Sequence, residues 1–369
     1  MRILHVIDQC DIGGTEKTAY IFCAKLKELG HHVSCFSFAG GRRERQFSES
    51  GIELYINDKP EYLNQIIVEE NCDIVHMHRG GWEHNKMLEP IVFARKEMDK
   101  KFKIVETNIF GDVDRGIYGK EIDLQLFVSE YLLNWHKRAT DCEEPNSIQK
   151  DFLHNPILVS NEPANLRRQL SIPTDAIVIG RCGRPDNYDG ISIRALKRLR
   201  DEGFKVYYVA LCPPEGMLSD LEQDNFVRFI REPIINESGL NKFYQTLNVF
   251  AHDRVDGETF GCCIAEAMMN RVPVVTHISS KYQGQIETLG SVALAKKTLN
   301  FAPKRIKFDG GIKVLDYGYV VEKDNDEAYA DAIVRAFQNY LKELAYNPMQ
   351  YTAGSLVLKL KRFYEDLFK

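Results

Sequence analysis

No run in the 369 residues approaches the ~20 consecutive apolar residues that a membrane-spanning helix needs. Basic charge is not in excess. Lys and Arg number 48 against 53 Asp and Glu, a net charge of −5, which gives no support to a general nucleic-acid-binding role. The nine cysteines include no Cys-x-x-Cys pair, and they lie scattered beside apolar residues, as in Ile21-Phe22-Cys23 and Val33-Ser34-Cys35-Phe36. That pattern argues against a disulfide framework or a zinc ribbon and for reduced core thiols in a cytoplasmic protein. A Gly-x-Gly-x-x-Gly spacing is missing, which disfavours NAD. There is no low-complexity segment and no short repeat. The N-terminal Met1-Arg2-Ile3-Leu4-His5-Val6-Ile7-Asp8 is short and soon polar, so it reads as a first buried strand and not as a signal peptide.

What is present is a soluble globular composition, 44% hydrophobic and 27% charged, in a chain long enough for two domains. Apolar runs at 2–7, 32–38, 73–78, 103–107 and 124–129 predict strands. A helical pattern follows Gly13-Gly14 and stops at Gly30. The alternation restarts with strands at 176–180, 204–211, 227–230, 249–251, 272–276 and 318–321. Helices are expected at 192–201, 240–247, 325–341 and 355–368. Strands alternating with helices predict α/β architecture, two doubly wound halves with parallel sheets. The changeover is expected between Asn155-Pro156 and Ile172-Pro173, where an Asn161-Glu162-Pro163 turn also punctuates the chain.

The most informative stretch is Glu258-Thr259-Phe260-Gly261-Cys262-Cys263-Ile264-Ala265-Glu266. Two carboxylates stand eight positions apart, one in a Gly-rich loop and one in an apolar helical run. Between them a helix can open at Phe260-Gly261, and its free backbone N–H groups would attract an anion. Carboxylates accept hydrogen bonds from hydroxyls. The combination reads as a sugar-nucleotide pocket, with amides for the diphosphate and glutamates for ribose and hexose. The bland alternatives are a solvated loop residue at Glu258 and a glutamate that suits the helix dipole at Glu266. Gly13-Gly14-Thr15-Glu16 lies between the first strand and first helix, where phosphates bind in such sheets, or it is only a tight turn. Gly183-Arg184 ends the first strand of the second half and offers a guanidinium fork to phosphate oxygens, with Arg181 as a competitor and a surface salt bridge as the plain reading. His76 and His78 share one strand face, but no third ligand shows recognisable spacing, so a polar cleft lining is preferred over zinc. Arg42-Arg43-Glu44-Arg45 is a small basic cluster, either a solvated loop or a contact for an anionic acceptor or phospholipid surface.

These motifs, together with Leu29-Gly30-His31-His32-Val33, Phe127-Val128-Ser129-Glu130, Asn155-Pro156, Glu266-Ala267-Met268, Gly284-Gln285-Ile286-Glu287 and Gly318-Tyr319-Val320-Val321, resemble glycosyltransferase family 4 over nearly the whole chain. That family comprises retaining enzymes of the GT-B fold. The resemblance implies an acceptor-binding Rossmann-like domain at 1–160 and a nucleotide-sugar domain at 161–350 facing it across a cleft. A helix at 351–369 would cross back to the first domain. By position, Glu258 would contact donor-sugar hydroxyls and Glu266 the ribose. Phe260, Gly261 and Cys262 would offer backbone donors near the diphosphate, Gly13 and Gly14 would close over it, and Arg184, beside Gly183, would neutralise the leaving phosphate. Arg42, Arg43, His78 and Asn108 fall on the acceptor side.

The resemblance further implies a metal-independent front-face transfer of a hexose from a UDP- or GDP-sugar to a glycan, lipid-linked or other hydroxyl acceptor, with no cofactor. The expected location is the cytoplasm or the cytoplasmic face of a membrane, by peripheral association. Two positions depart from the family pattern. Asp189 stands where a lysine is common, so Arg181, Arg254 or Lys281 would have to supply that cation. Asn108-Ile109 follows Thr107 where a histidine is usual. Rival readings are a GT-B hydrolase or epimerase on the same donor, and a sugar-nucleotide-binding protein with weakened catalysis.

Overall fold

The computed structural model describes all residues except 99–100, 141–147, 159–162, 185, 300–305 and 341–348. Asn161 and Glu162 of the expected turn and Leu341 of the expected helix therefore lie outside the described residues. The chain forms two compact units, Met1–Pro156 with Met349–Lys369, and Ile157–Pro348.

The first unit holds seven strands: β1 Arg2–Ile7, β2 His32–Ser37, β3 Glu53–Ile56, β4 Ile74–Arg79, β5 Lys103–Asn108, β6 Leu124–Phe127 and β7 Gln149–Phe152. Their order is β3-β2-β1-β4-β5-β6-β7, and every pairing is parallel. The central strands are buried on both faces, which is why they read as nearly unbroken apolar runs. The period of two sorts their side chains. On β1 and β4, Ile3, Ile7 and Ile74 enter one core, and Leu4, Val6, Val75 and Met77 enter the other. The helix Gly14–Glu28 covers the first of these faces and ends before Gly30, whose φ of +84° suits glycine. The C-terminal helix Ala353–Asp366 packs beside it, and Leu356, Leu360 and Tyr364 share a core with Phe22 and Leu26. Each such side chain contributes roughly 1.5–3 kcal/mol on burial, which fixes the chain's last helix to its first.

The second unit repeats the scheme with β8 Ile177–Cys182, β9 Val206–Leu211, β10 Val227–Ile230, β11 Val249–Ala251, β12 Val274–His277, β13 Ile312–Leu315 and β14 Gly318–Val321. The order is β10-β9-β8-β11-β12-β14-β13, parallel except for β13 against β14.

Both sheets are doubly wound. The edge strands β3, β7 and β13 were not apparent in the sequence, because edge positions are only partly buried and carry mixed polar residues. Several strands are shorter than expected, two of them by more than one residue. β6 ends at Phe127, and β9 starts at Val206, after Gly203 at φ +90° and the exposed Phe204. No helix among the described residues is long and apolar enough to cross a membrane. Of the eight described cysteines, Cys10, Cys23, Cys35 and Cys263 are free thiols.

Candidate functional site

Among the parallel strands of each sheet the order reverses once, beside β1 in the first unit and beside β8 in the second. Loops leaving the carboxyl ends of neighbouring strands diverge there and open a crevice, the usual ligand position in such sheets.

In the second unit the β8 and β11 loops form a recess. Arg181, Gly183, Arg184, Asn187, His252, Arg254 and Glu258 are among its walls. Arg181 Nε donates to Asp253 Oδ1 at 3.0 Å with both side chains buried, and Asp253 also accepts from Ser192. The Arg181 guanidinium lies 5.2 Å over the Tyr188 ring. Arg181 Nη1 and Arg254 Nε are buried and have no hydrogen-bond partner among the described residues. Two guanidinium groups with unsatisfied donors in one recess form a site that favours an anion.

Glu258 stands beside them. Its Oε1 accepts from His252 Nε2 at 3.2 Å and from Arg254 Nη1 at 3.5 Å, and its Oε2 makes no hydrogen bond among the described residues. His252 is itself oriented by Thr276 Oγ1, 2.8 Å from Nδ1. Burial alone would raise the Glu258 carboxyl, but the hydrogen bond from His252 and the charge of Arg254 outweigh it and hold it below the usual glutamate value. An ionised carboxylate with one oxygen anchored and one open is prepared to accept hydroxyl protons.

Past Glu258 the helix Cys262–Met269 begins at Gly261, whose φ of +98° is left-handed and strains any residue but glycine. Gly261 gives the helix no side-chain cap. Ile264, Ala265, Ala267 and Met268 are 0% exposed, and Glu266 on the same helix accepts from Tyr244 Oη at 2.7 Å. Phe260 is buried at 1% exposure. His252 was missed in the sequence; the one signal for it is its place directly after the short apolar strand 249–251.

Of the expected donor-side residues, Gly183, Arg184 and Glu258 share the recess, and Phe260, Gly261, Cys262 and Glu266 carry its chain onward into the helix. Arg184 is exposed and forms a bidentate pair with Asp186, 2.6 Å from Nη2 to Oδ2. The unsatisfied buried donors belong to Arg181 and Arg254. Lys281 lies over its neighbour Tyr282, 4.6 Å from the ring centroid. Asp189 does not line the recess. Its backbone N–H donates to Asp253 O at 2.9 Å and its carboxylate pairs with Arg194 at 3.2 Å, so its charge is held by the following helix.

In the first unit, Gly13 is the extended N-cap of the Gly14–Glu28 helix. A side chain at 13 would collide with the carboxylate of Glu16, which folds back over it. Burial raises the Glu16 carboxyl against its own backbone amide and Gln9. Arg42 is exposed and bonded to Asp11 at 2.8 Å. Arg43 is 3% exposed and donates to Gln46 at 2.7 Å, so the basic cluster does not present two free cations.

His78 is 2% exposed, because β4 is covered on both faces, so it belongs to the core and not to a solvent-facing lining. It also has the third histidine that spacing did not reveal. His5 on β1 places Nδ1 2.9 Å from His78 Nε2, and His76 lies in register with His5. His76 is engaged at both nitrogens, by Tyr364 Oη at 2.6 Å and Thr107 Oγ1 at 2.8 Å. Burial lowers all three pKa values, that of His5 to about 3, so the cluster is neutral. Asn108 is buried and shapes its own loop, accepting from Gly111 N at 2.8 Å and donating to Asp112 O at 3.0 Å. In the second unit His252, Glu258 and Cys263 bring donor atoms within 4.8 Å of one another. Burial and Glu258 raise the Cys263 thiol, which keeps it protonated and suits hydrogen bonding.

No protein-family model and no curated protein sequence matches the chain. Solved structures do. A glycosyltransferase from Rickettsia africae ESF-5 superposes with a TM-score of 0.71 at 16% identity, over 100% of this chain and 98% of that one. The Anabaena protein HepE, solved with UDP and glucose, gives 0.68 at 15% identity over 100% of both chains. The fold is GT-B. The same fold also brings in a putative UDP-N-acetylglucosamine 2-epimerase from Listeria monocytogenes, with a TM-score of 0.59 at 12% identity over 99% of this chain and 96% of that one. At such identities the GT-B likeness is a statement about architecture, and function has to be argued from the site.

Proposed function

We propose that the protein is a glycosyltransferase that moves a hexose from a nucleotide-diphospho-sugar, a UDP- or GDP-sugar, to a hydroxyl acceptor with retention and without a metal. The observation that carries this reading is the recess of the second unit, where unsatisfied guanidinium donors stand beside an anchored carboxylate with one open oxygen. The guanidinium groups of Arg181 and Arg254 suit a diphosphate. Exposed Arg184, on the same wall, exchanges Asp186 for a phosphate oxygen as charge develops on the leaving group. Glu258 accepts from hexose hydroxyls through Oε2, and Glu266 accepts from the ribose. The uncapped start of the Cys262–Met269 helix adds backbone donors toward the diphosphate. In the front-face scheme the leaving phosphate oxygen takes the acceptor proton, so no protein base is required on that face. The UDP and glucose carried by the Anabaena neighbour support this donor class.

A donor-only reaction is the second reading, favoured by the epimerase among the structural neighbours. A transfer assay with UDP- and GDP-sugars and a mixed acceptor library separates the two. Acceptor-dependent product, lost in Glu258→Ala and in Arg184→Ala with both variants folded, is the expected result. Sugar release or epimerised donor at equal rates without acceptor selects the second reading, and near wild-type transfer in either variant contradicts the assignments.

A further inference from the structure

Trp82 and Phe110 leave the carboxyl ends of β4 and β5, adjacent strands at the first unit's crevice edge. Their rings are nearly parallel, 13° apart with centroids at 5.7 Å, and Trp82 remains 48% exposed. A half-exposed indole held in one position presents a flat apolar face with a polar edge to a ligand. This loop is held. Buried Arg79 donates from Nη1 to Trp82 O at 2.9 Å and to Asp114 Oδ2 at 2.6 Å, and its Nε meets Glu106 Oε1 at 2.7 Å. The Trp82 ring lies over Gly80, where any side chain would collide with it, and Gly81 takes a φ of +99° to bring it there. Asn108 closes the second loop.

The charge around the rings selects the occupant. Loops 80–84 and 109–118 carry the exposed carboxylates Glu83 and Asp112 against a single cation, Arg115, because Asp114 is paired with buried Arg79. Asp8, at the end of neighbouring β1, is 3.5 Å from His84 and 60% exposed at its side chain. An anionic lipid surface is drawn to clustered Lys and Arg and is repelled by such a border. A neutral sugar ring fits both features, since its C–H face packs on an aromatic plane and its hydroxyls donate to carboxylates.

We propose that Trp82, braced by Phe110 and bordered by Glu83 and Asp112, is a stacking platform for a pyranose ring, so that the acceptor is a saccharide engaged through its sugar. The proposal rests on the transferase reading for the word acceptor only; the saccharide site stands or falls separately.

The test is saturation-transfer NMR of the full chain with maltose, cellobiose and chitobiose, alongside sedimentation with phosphatidylglycerol vesicles and a thermal-shift measurement with UDP and GDP. Wild type is expected to bind at least one disaccharide, Trp82→Ala to bind it about tenfold more weakly, and Trp82→Phe to retain it. The nucleotide shift should be the same in all three proteins. Saccharide binding unchanged in Trp82→Ala, no saccharide binding by wild type, or vesicle binding that disappears with Trp82→Ala each overturns the platform. Saccharide binding that depends on Trp82, with no nucleotide shift, keeps the platform and contradicts the transferase reading instead.

Discussion

The two sheets share a topology and differ in what they place at the reversal of strand order. In the second unit that edge carries Arg181 and Arg254 with unsatisfied donors, Glu258 with an open oxygen, and a helix start without a side-chain cap. In the first unit the helix after β1 begins under its own Glu16 carboxylate, the nearby arginine Arg42 is bonded to Asp11, and the exposed groups are an aromatic ring and carboxylates. One edge is prepared for an anion; the other has answered its own positive groups and offers a surface for a neutral polar ligand. A duplicated scaffold thus takes on two chemistries through its loops, as the fold permits.

The largest expected effect falls on the cation network of the second unit. Arg181→Ala leaves Asp253 buried and without its ion-pair partner and should destabilise the protein by about 3–5 kcal/mol, read by urea or thermal unfolding. A loss under 1 kcal/mol would mean that the pair does not organise the recess. Next is a pH effect in the first unit. His5, His76 and His78 have folded pKa values below the unfolded value of 6.5, so the unfolded chain binds more protons in that window. Stability is complete above pH 6.5 and falls as pH drops toward about 3, the folded value of His5. The depressed carboxyl of Glu258 acts with the same sign but only below its unfolded value of 4.5. Unfolding midpoints from pH 7 to 5 should therefore fall in the wild type and fall less steeply in His5→Leu, where His76 and His78 still contribute; an equal slope in both contradicts the assignment. The smallest effect is Arg184→Ala, which removes an exposed pair with Asp186 and should change stability by less than about 1 kcal/mol while removing transfer.

How much of this was legible in the sequence depended on burial. The central strands β1, β4, β8 and β12 bury both faces and so announce themselves as apolar runs, and with the glycine-punctuated helices they carried the α/β, two-sheet architecture. The edge strands β3, β7 and β13 did not, because a half-exposed strand of four residues has no distinguishing pattern. The stretch from Glu258 to Glu266 could be read because loop, left-handed glycine and helix are contiguous. His252 beside Glu258, and the meeting of Arg181 with Arg254, could not, since 181 and 254 come together only through the pairing of β8 with β11. Burial was the other invisible quantity. The family resemblance implied an acceptor-side place for Arg43, His78 and Asn108, and the structure buries all three, Arg43 and Asn108 bonded within their own segments.

The central claim is that the β8–β11 recess binds a nucleoside diphosphate through guanidinium groups. Isothermal titration of UDP and GDP into wild type and Arg254→Ala tests it most directly. Binding of one nucleotide by the wild type, weakened in Arg254→Ala by about tenfold or more for the loss of a charge-assisted hydrogen bond, is the predicted result. Equal affinity in the two proteins, or no binding of either nucleotide, would contradict it.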